Sequence, residues 1–166
     1  MKKFLLILTF FIAVTGYSQN RKSPHDTLSV NNINITYGRP SLHGRIIFGE
    51  LVKYGQVWRL GADEATTISF TNDIKFGGVS VPAGTYTLFA LVNENEWTFI
   101  FNSVPGQWGA FAYEKNKEKD LVHITLPVHK SETPVEQLTF RFADDGSLLI
   151  EWDLVKMIVP IITDSK

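Results

Sequence analysis

Apolar and polar residues alternate with a period of two along most of the chain. In 137–142, Leu138, Phe140 and Phe142 fall on one face and Gln137, Thr139 and Arg141 on the other. In 148–153, Leu148, Ile150 and Trp152 oppose Glu151 and Asp153. Such alternation marks half-buried strands. Between these two runs, Asp144-Asp145-Gly146 predicts a hairpin turn in which Gly supplies a positive φ. Two further hairpins follow from the same pattern. Thr66, Ile68 and Phe70 lead through Thr71-Asn72-Asp73 into Ile74 and Phe76, and Tyr86–Val92 leads through Asn93-Glu94-Asn95 into Trp97, Phe99 and Phe101. Tyr86–Val92 is apolar on both faces, as a central strand requires. Strands are also expected at Leu28–Tyr37, Leu121–Val128 and Met157–Ile162. About nine strands at short, regular spacing predict an all-β, single-domain antiparallel β-sandwich or flattened barrel. Trp97 and Trp152 lie on clean apolar faces and belong to its core. A helical turn or two is expected only at Arg45–Val52, and Gly49 weakens it. The mixed-charge run Lys115–Lys119 reads as a solvated loop tip.

The N-terminus breaks this pattern. Met1-Lys2-Lys3 is basic, Phe4–Val14 is apolar apart from Thr9, and Gly16 and Ser18 occupy positions −3 and −1 of a cut before Gln19. That order predicts a secretory signal peptide over residues 1–18 and one exported domain over 19–166, periplasmic or extracellular. The apolar run is too short for a stable span, so no membrane span is expected once it is removed. Residues 19–166 carry 14 basic and 17 acidic side chains, a net charge of −3. This well-mixed, mildly acidic balance excludes a nucleic-acid partner, which needs clustered Lys and Arg. With no Cys, disulfides, thiolate catalysis and Cys-ligated zinc are excluded as well.

Candidate chemistry concentrates in Tyr37–Thr67, where Arg, adjacent carboxylates, large aromatics and Gly crowd into some thirty residues. Long loops of this mixture in compact domains are often functional. The segments are Tyr37-Gly38-Arg39-Pro40, Gly44-Arg45-Ile46-Ile47-Phe48-Gly49, Tyr54-Gly55-Gln56-Val57-Trp58-Arg59 and Gly61-Ala62-Asp63-Glu64-Ala65-Thr66. They are followed by Pro82-Ala83-Gly84-Thr85-Tyr86-Thr87-Leu88 and Trp97-Thr98-Phe99-Ile100-Phe101-Asn102. In this order they resemble the exported bacterial family known as domain of unknown function 2911, over nearly all of residues 23–162. The resemblance implies no activity. Members mostly carry Asn where this chain has Asp63.

Read as residues, Arg39 and Arg59 offer rigid donor forks suited to carboxylate or phosphate, and Glu64 is placed to orient one of them. The alternative is an internal ion-pair network without a ligand. Tyr37, Tyr54, Trp58, Trp108 and Tyr113 are either stacking platforms or packing. Trp58 and Trp108, flanked by Gln, Gly and Arg, are the better site candidates. Arg45 reads as exposed. Asp63-Glu64 raises a glycosidase, but adjacent strand residues point to opposite faces, so a second carboxylate would come from elsewhere, such as Asp26 or Glu114. The four His show no H-x-H or H-E-x-x-H spacing, and no nucleotide-binding Gly motif occurs, so neither a metal nor a cofactor is expected. His25 and His43 are isolated, and His123 and His129 face solvent on a strand that Pro127 marks as an edge or a bulge. The resulting ligand-binding set is Tyr37, Arg39, Tyr54, Trp58, Arg59, Asp63, Glu64 and Trp108, with no catalytic residue assigned. The function it suggests is binding of a small polar or carbohydrate-like ligand. A hydrolase acting on a glycan or other envelope component and a structural or protein-interaction module of the cell envelope are the alternatives.

Overall fold

The computed structural model describes residues 20–163. The expected signal peptide, 1–18, lies outside them. Among the described residues eleven strands form: β1 His25–Val30, β2 Ile33–Gly38, β3 Gln56–Trp58, β4 Thr67–Phe70, β5 Ile74–Phe76, β6 Val79–Val81, β7 Gly84–Val92, β8 Glu96–Asn102, β9 Asp120–Phe142, β10 Leu148–Val159 and β11 Ile161–Thr163. One antiparallel sheet runs β1-β2-β4-β7-β8-β9-β10, with β3 also on β7, and a smaller sheet runs β11-β5-β6. The all-β expectation holds, with a finer division of strands. Asn31, at φ 52°, turns the chain so that Val30 pairs with Ile33, splitting the expected Leu28–Tyr37 strand into β1 and β2.

The hairpins at Asp144–Gly146 and Asn93–Asn95 form as the alternation requires, pairing Phe142 with Leu148 and Val92 with Trp97. The one through Thr71–Asp73 does not. β4 pairs with β2 and β7, whereas β5 pairs with β6 and β11, so these turn residues carry the chain from one sheet to the other. Arg45–Val52 forms irregular turns, with Gly49 at φ 92°, and the short helix α1 lies at Tyr113–Asn116 instead. A 3₁₀ turn over Lys117–Lys119 completes the stretch expected as an open tip.

β7 is buried on both faces. Leu88, Ala90 and Val92 enter the main core with Trp97, Phe99 and Trp152, while Phe89 packs with Ile100 and Tyr113 under α1 in a second cluster. β9 is 23 residues long and changes partner partway. Glu96 of β8 faces Pro127, and the next residue, Val128, faces Met157 of β10. Proline lacks the N–H a continuous ladder needs, so it stands where the strand passes from one neighbour to the next.

The curled sheet closes through the segment after β2. Leu42 N donates to Glu136 O, Leu138 N donates to Pro40 O, and Phe140 N donates to the Tyr37 hydroxyl at 2.9 Å. The Tyr37 ring stacks on Phe140 with centroids 4.2 Å apart. Burial pushes the Tyr37 phenol above its ordinary range, and the Phe140 N–H that it accepts only partly offsets this.

Candidate functional site

The loop between β3 and β4 is shaped by backbone constraints before any side chain is considered. Gly38 passes so close to Ala62 O that a Cβ would overlap it, and a Cβ on Gly61 would fall 2.9 Å from Gly38 O. Only glycine permits this approach. Leu60 and Asp63 both take positive φ, 53° and 63°, a region unfavourable for most side chains but tolerated by Asp and Asn. Leu60 is held there by complete burial, and Thr66 Oγ1 donates to its carbonyl at 2.8 Å.

These turns aim Asp63 and Glu64 at the N-terminal strap, residues 21–25. Asp63 Oδ2 accepts from Lys22 N and Ser23 N, each at 3.1 Å. Glu64 Oε1 accepts from Arg21 Nε at 2.8 Å, with Arg21 Nη2 at the same distance. His25 Nε2 lies 3.5 Å from Asp63 Oδ2 and 3.3 Å from Glu64 Oε2. The expectation that the two carboxylates diverge rests on strand geometry. With Asp63 in the left-handed region, both reach the same imidazole. Burial alone would raise the Asp63 pKa, but the Ser23 and Lys22 amides and the pull of His25 outweigh it and hold the carboxyl below its ordinary range.

Residues of the strap contribute to two clefts. The larger, about 300 Å³, has Lys22, Ser23, Arg45, Arg59 and Asp63 as its polar lining residues. Pro40, Leu51, Val52, Trp58 and Trp152 are among its apolar lining residues. The smaller, about 150 Å³, includes Arg21, His25, Tyr37 and Glu64. Of the eight residues singled out by sequence, Trp58, Arg59 and Asp63 therefore share one cleft, Tyr37 and Glu64 share the other, and Arg39, Tyr54 and Trp108 line neither.

Arg39 is spent on closing the sheet. Its Nε donates to Leu138 O, Nη2 to Thr139 Oγ1, and Nη1 to Asp26 Oδ2 at 3.2 Å. Tyr54 is exposed, its ring against Gly49. Trp108 pairs by backbone with Glu64, while Ala65 N donates to Gln107 O and Gly109 N to Asp63 O. It braces the loop from behind.

Trp58 is 7 % exposed and Trp152 2 %. Their rings lie nearly parallel, 5.8 Å apart at 19°, and Trp97 meets Trp58 edge-on. Trp58 Nε1 donates to Gly61 O at 3.2 Å. Trp152 Nε1 and Arg59 Nε are buried without an acceptor among the described residues. Burial depresses the Arg59 pKa, and Asp63 partly offsets it. Buried donors are nearly always matched, and each unmatched one costs about 1–3 kcal/mol. Two of them on residues walling one cleft are therefore notable.

Sequence reasoning missed two groups. His25 read as isolated because its partners lie some forty positions away. Asn102, fully buried, also escaped notice. Its Nδ2 donates to Asn116 O and Asp120 Oδ1, and its Oδ1 accepts from Val104 N and Gln107 Nε2. Tyr113 donates to Asp120 Oδ2 at 2.7 Å. The network anchors the Trp108 loop, and a polar residue closing the apolar run Phe99–Phe101 was its signal in the sequence.

Among the described residues no group of three or more His, Cys, Asp or Glu is placed to hold a metal, and no helix is long and apolar enough to cross a membrane. No curated protein and no solved structure matches the chain. The family described as protein of unknown function (DUF2911) matches residues 19–161, and on that match the chain belongs to this family.

Proposed function

We propose that the domain binds a small polar ligand, without chemistry of its own, in the cleft walled by Trp58, Trp152 and Arg59. The observation that carries this reading is the pair of unmatched buried donors, Arg59 Nε and Trp152 Nε1, on residues of that wall. A bound acceptor at the Arg59 fork offsets the cost of leaving a desolvated guanidinium unpaired. The cleft volume matches the low end of small-molecule sites. Asp63 and Glu64 are engaged by strap amides, Arg21 and His25, which favours a binding role for the cleft over carboxylate catalysis.

A thermal-shift screen of the purified protein against small acids, sugars and peptidoglycan fragments tests the proposal, because a ligand that binds the native state raises the melting temperature by mass action. A positive shift that Arg59→Ala abolishes is expected. Shifts that survive Arg59→Ala would move the site elsewhere. The basic and apolar N-terminus supports export. Mass spectrometry of protein from the producing cell should find Gln19 as the first residue, and an intact Met1 would refute it.

A further inference from the structure

Resting on that reading of the cleft, we infer that its ligand is a small monocarboxylate with an apolar body of a few carbons. Three cationic side chains, Lys22, Arg45 and Arg59, wall the cleft against a single carboxylate. Arg45 spends Nε and Nη2 on the neutral carbonyls of Leu42 and Ser41, which leaves its charge uncompensated. Asp63 already accepts from two backbone amides, with the His25 imidazole 3.5 Å away. The ion pairs formed among the described residues engage none of Lys22, Arg45 and Arg59. The cleft thus holds an excess of positive charge, part of it desolvated, and an anion is the complement.

The rest of the lining selects among anions. Pro40, Leu51, Val52 and the two indoles supply the apolar part of the lining, and Leu51 is 49 % exposed. A phosphate has no apolar surface for that part of the lining, and its second charge would share the cleft with the Asp63 carboxylate. A carboxylate matches the planar Arg fork with one charge and turns its carbon body to the apolar lining. A sugar needs the open face of an aromatic ring. Trp58 and Trp152, stacked on each other and nearly fully covered, offer none. The volume, about 300 Å³, admits roughly ten water-sized groups, enough for benzoate or pentanoate.

Titration calorimetry of the purified protein with benzoate, pentanoate, acetate, benzamide, inorganic phosphate and glucose tests this. Benzoate or pentanoate should bind saturably and at least tenfold more tightly than the other four. Arg59→Gln should weaken that binding at least tenfold with an unchanged melting temperature, and Arg45→Gln should weaken it to a lesser degree. The ranking in the unaltered protein stands apart from the behaviour of any variant. Phosphate binding as tightly as benzoate, benzamide matching benzoate, or full affinity in Arg59→Gln would overturn the inference. Saturable glucose binding alone would overturn it while leaving the small-ligand reading intact. Absence of saturable binding by all six probes would overturn the inference, and the small-ligand reading would then fall only if the thermal-shift screen also found no ligand.

Discussion

Replacing Asp63 by Ala and, separately, by Asn tests how the strap is held over the clefts. The side chain accepts two backbone N–H groups, from Lys22 and Ser23, at 3.1 Å each. The Lys22 amide is exposed and turns to water when the acceptor is lost. The Ser23 amide is partly buried, and its bond to a charged acceptor is worth about 1.5 kcal/mol or somewhat more. Ala at φ 63° adds about 1 kcal/mol that Asp largely escapes. Asp63→Ala should therefore cost about 2–3 kcal/mol in a urea titration at pH 7. Asn keeps both the acceptor and the left-handed preference, so Asp63→Asn should cost about 1 kcal/mol or less. Acid separates the two roles. The Asp63 pKa is depressed in the folded protein, so its charge stabilises the fold above the unfolded value of about 3.9, and that stability is lost as pH falls through the lower folded value. Asp145, held low by the Ser147 amide, titrates in the same window in all the proteins, so the difference between wild type and variant reads Asp63. Between pH 5 and 3 the stability of Asp63→Asn should fall less steeply than that of wild type. Parallel curves, or an Ala variant as stable as wild type at pH 7, would refute the argument.

Trp152→Ala should destabilise by about 3–5 kcal/mol by chemical denaturation, because it empties a buried site beneath Trp58. A midpoint within error of wild type would mean the wall of the cleft is not packed as described. Arg59→Ala and Glu64→Gln should each cost about 1 kcal/mol or less, the first because its guanidinium forms no ion pair among the described residues, the second because Arg21 is largely exposed. A large loss in either would convert the loop into a structural ion network. Asn102→Leu should cost about 3 kcal/mol or more, since it leaves Val104 N, Gln107 and Asp120 without their buried partner. A calorimetric melt unchanged from wild type would show that the Trp108 loop holds without it.

Local patterning made much of the fold legible. Alternation with a turn signal located the β7–β8 and β9–β10 hairpins, the double apolar face of β7 marked it as central, and Trp97 and Trp152 fall inside as their strand faces require. Thr71–Asp73 misled because a polar turn between two strands looks the same whether it closes a hairpin or carries the chain to a second sheet. The candidate site was legible as a segment but not as an arrangement. Arg39, Arg59 and Glu64 do not converge. Arg39 finds Leu138 and Thr139, Glu64 finds Arg21, and Arg59 faces a cleft. Those partnerships depend on how the sheet curls shut, which short-range periodicity does not encode. Asp63-Glu64 shows the same limit at short range, because one left-handed residue cancels the divergence that strand geometry implies.

The seam that closes the sheet also sets when the cleft can exist. Arg39 meets Leu138 across 99 positions and Tyr37 meets Phe140 across 103, and Trp152, which walls the cleft, follows both. Contacts this distant carry a high loop-closure cost and form after the local hairpins. A chain emerging from its N-terminal end carries Lys22, Arg45 and Arg59 long before Trp152 arrives to complete their surroundings. A ligand of the proposed kind would therefore meet a finished cleft, and its occupancy is expected to slow unfolding rather than to hasten assembly.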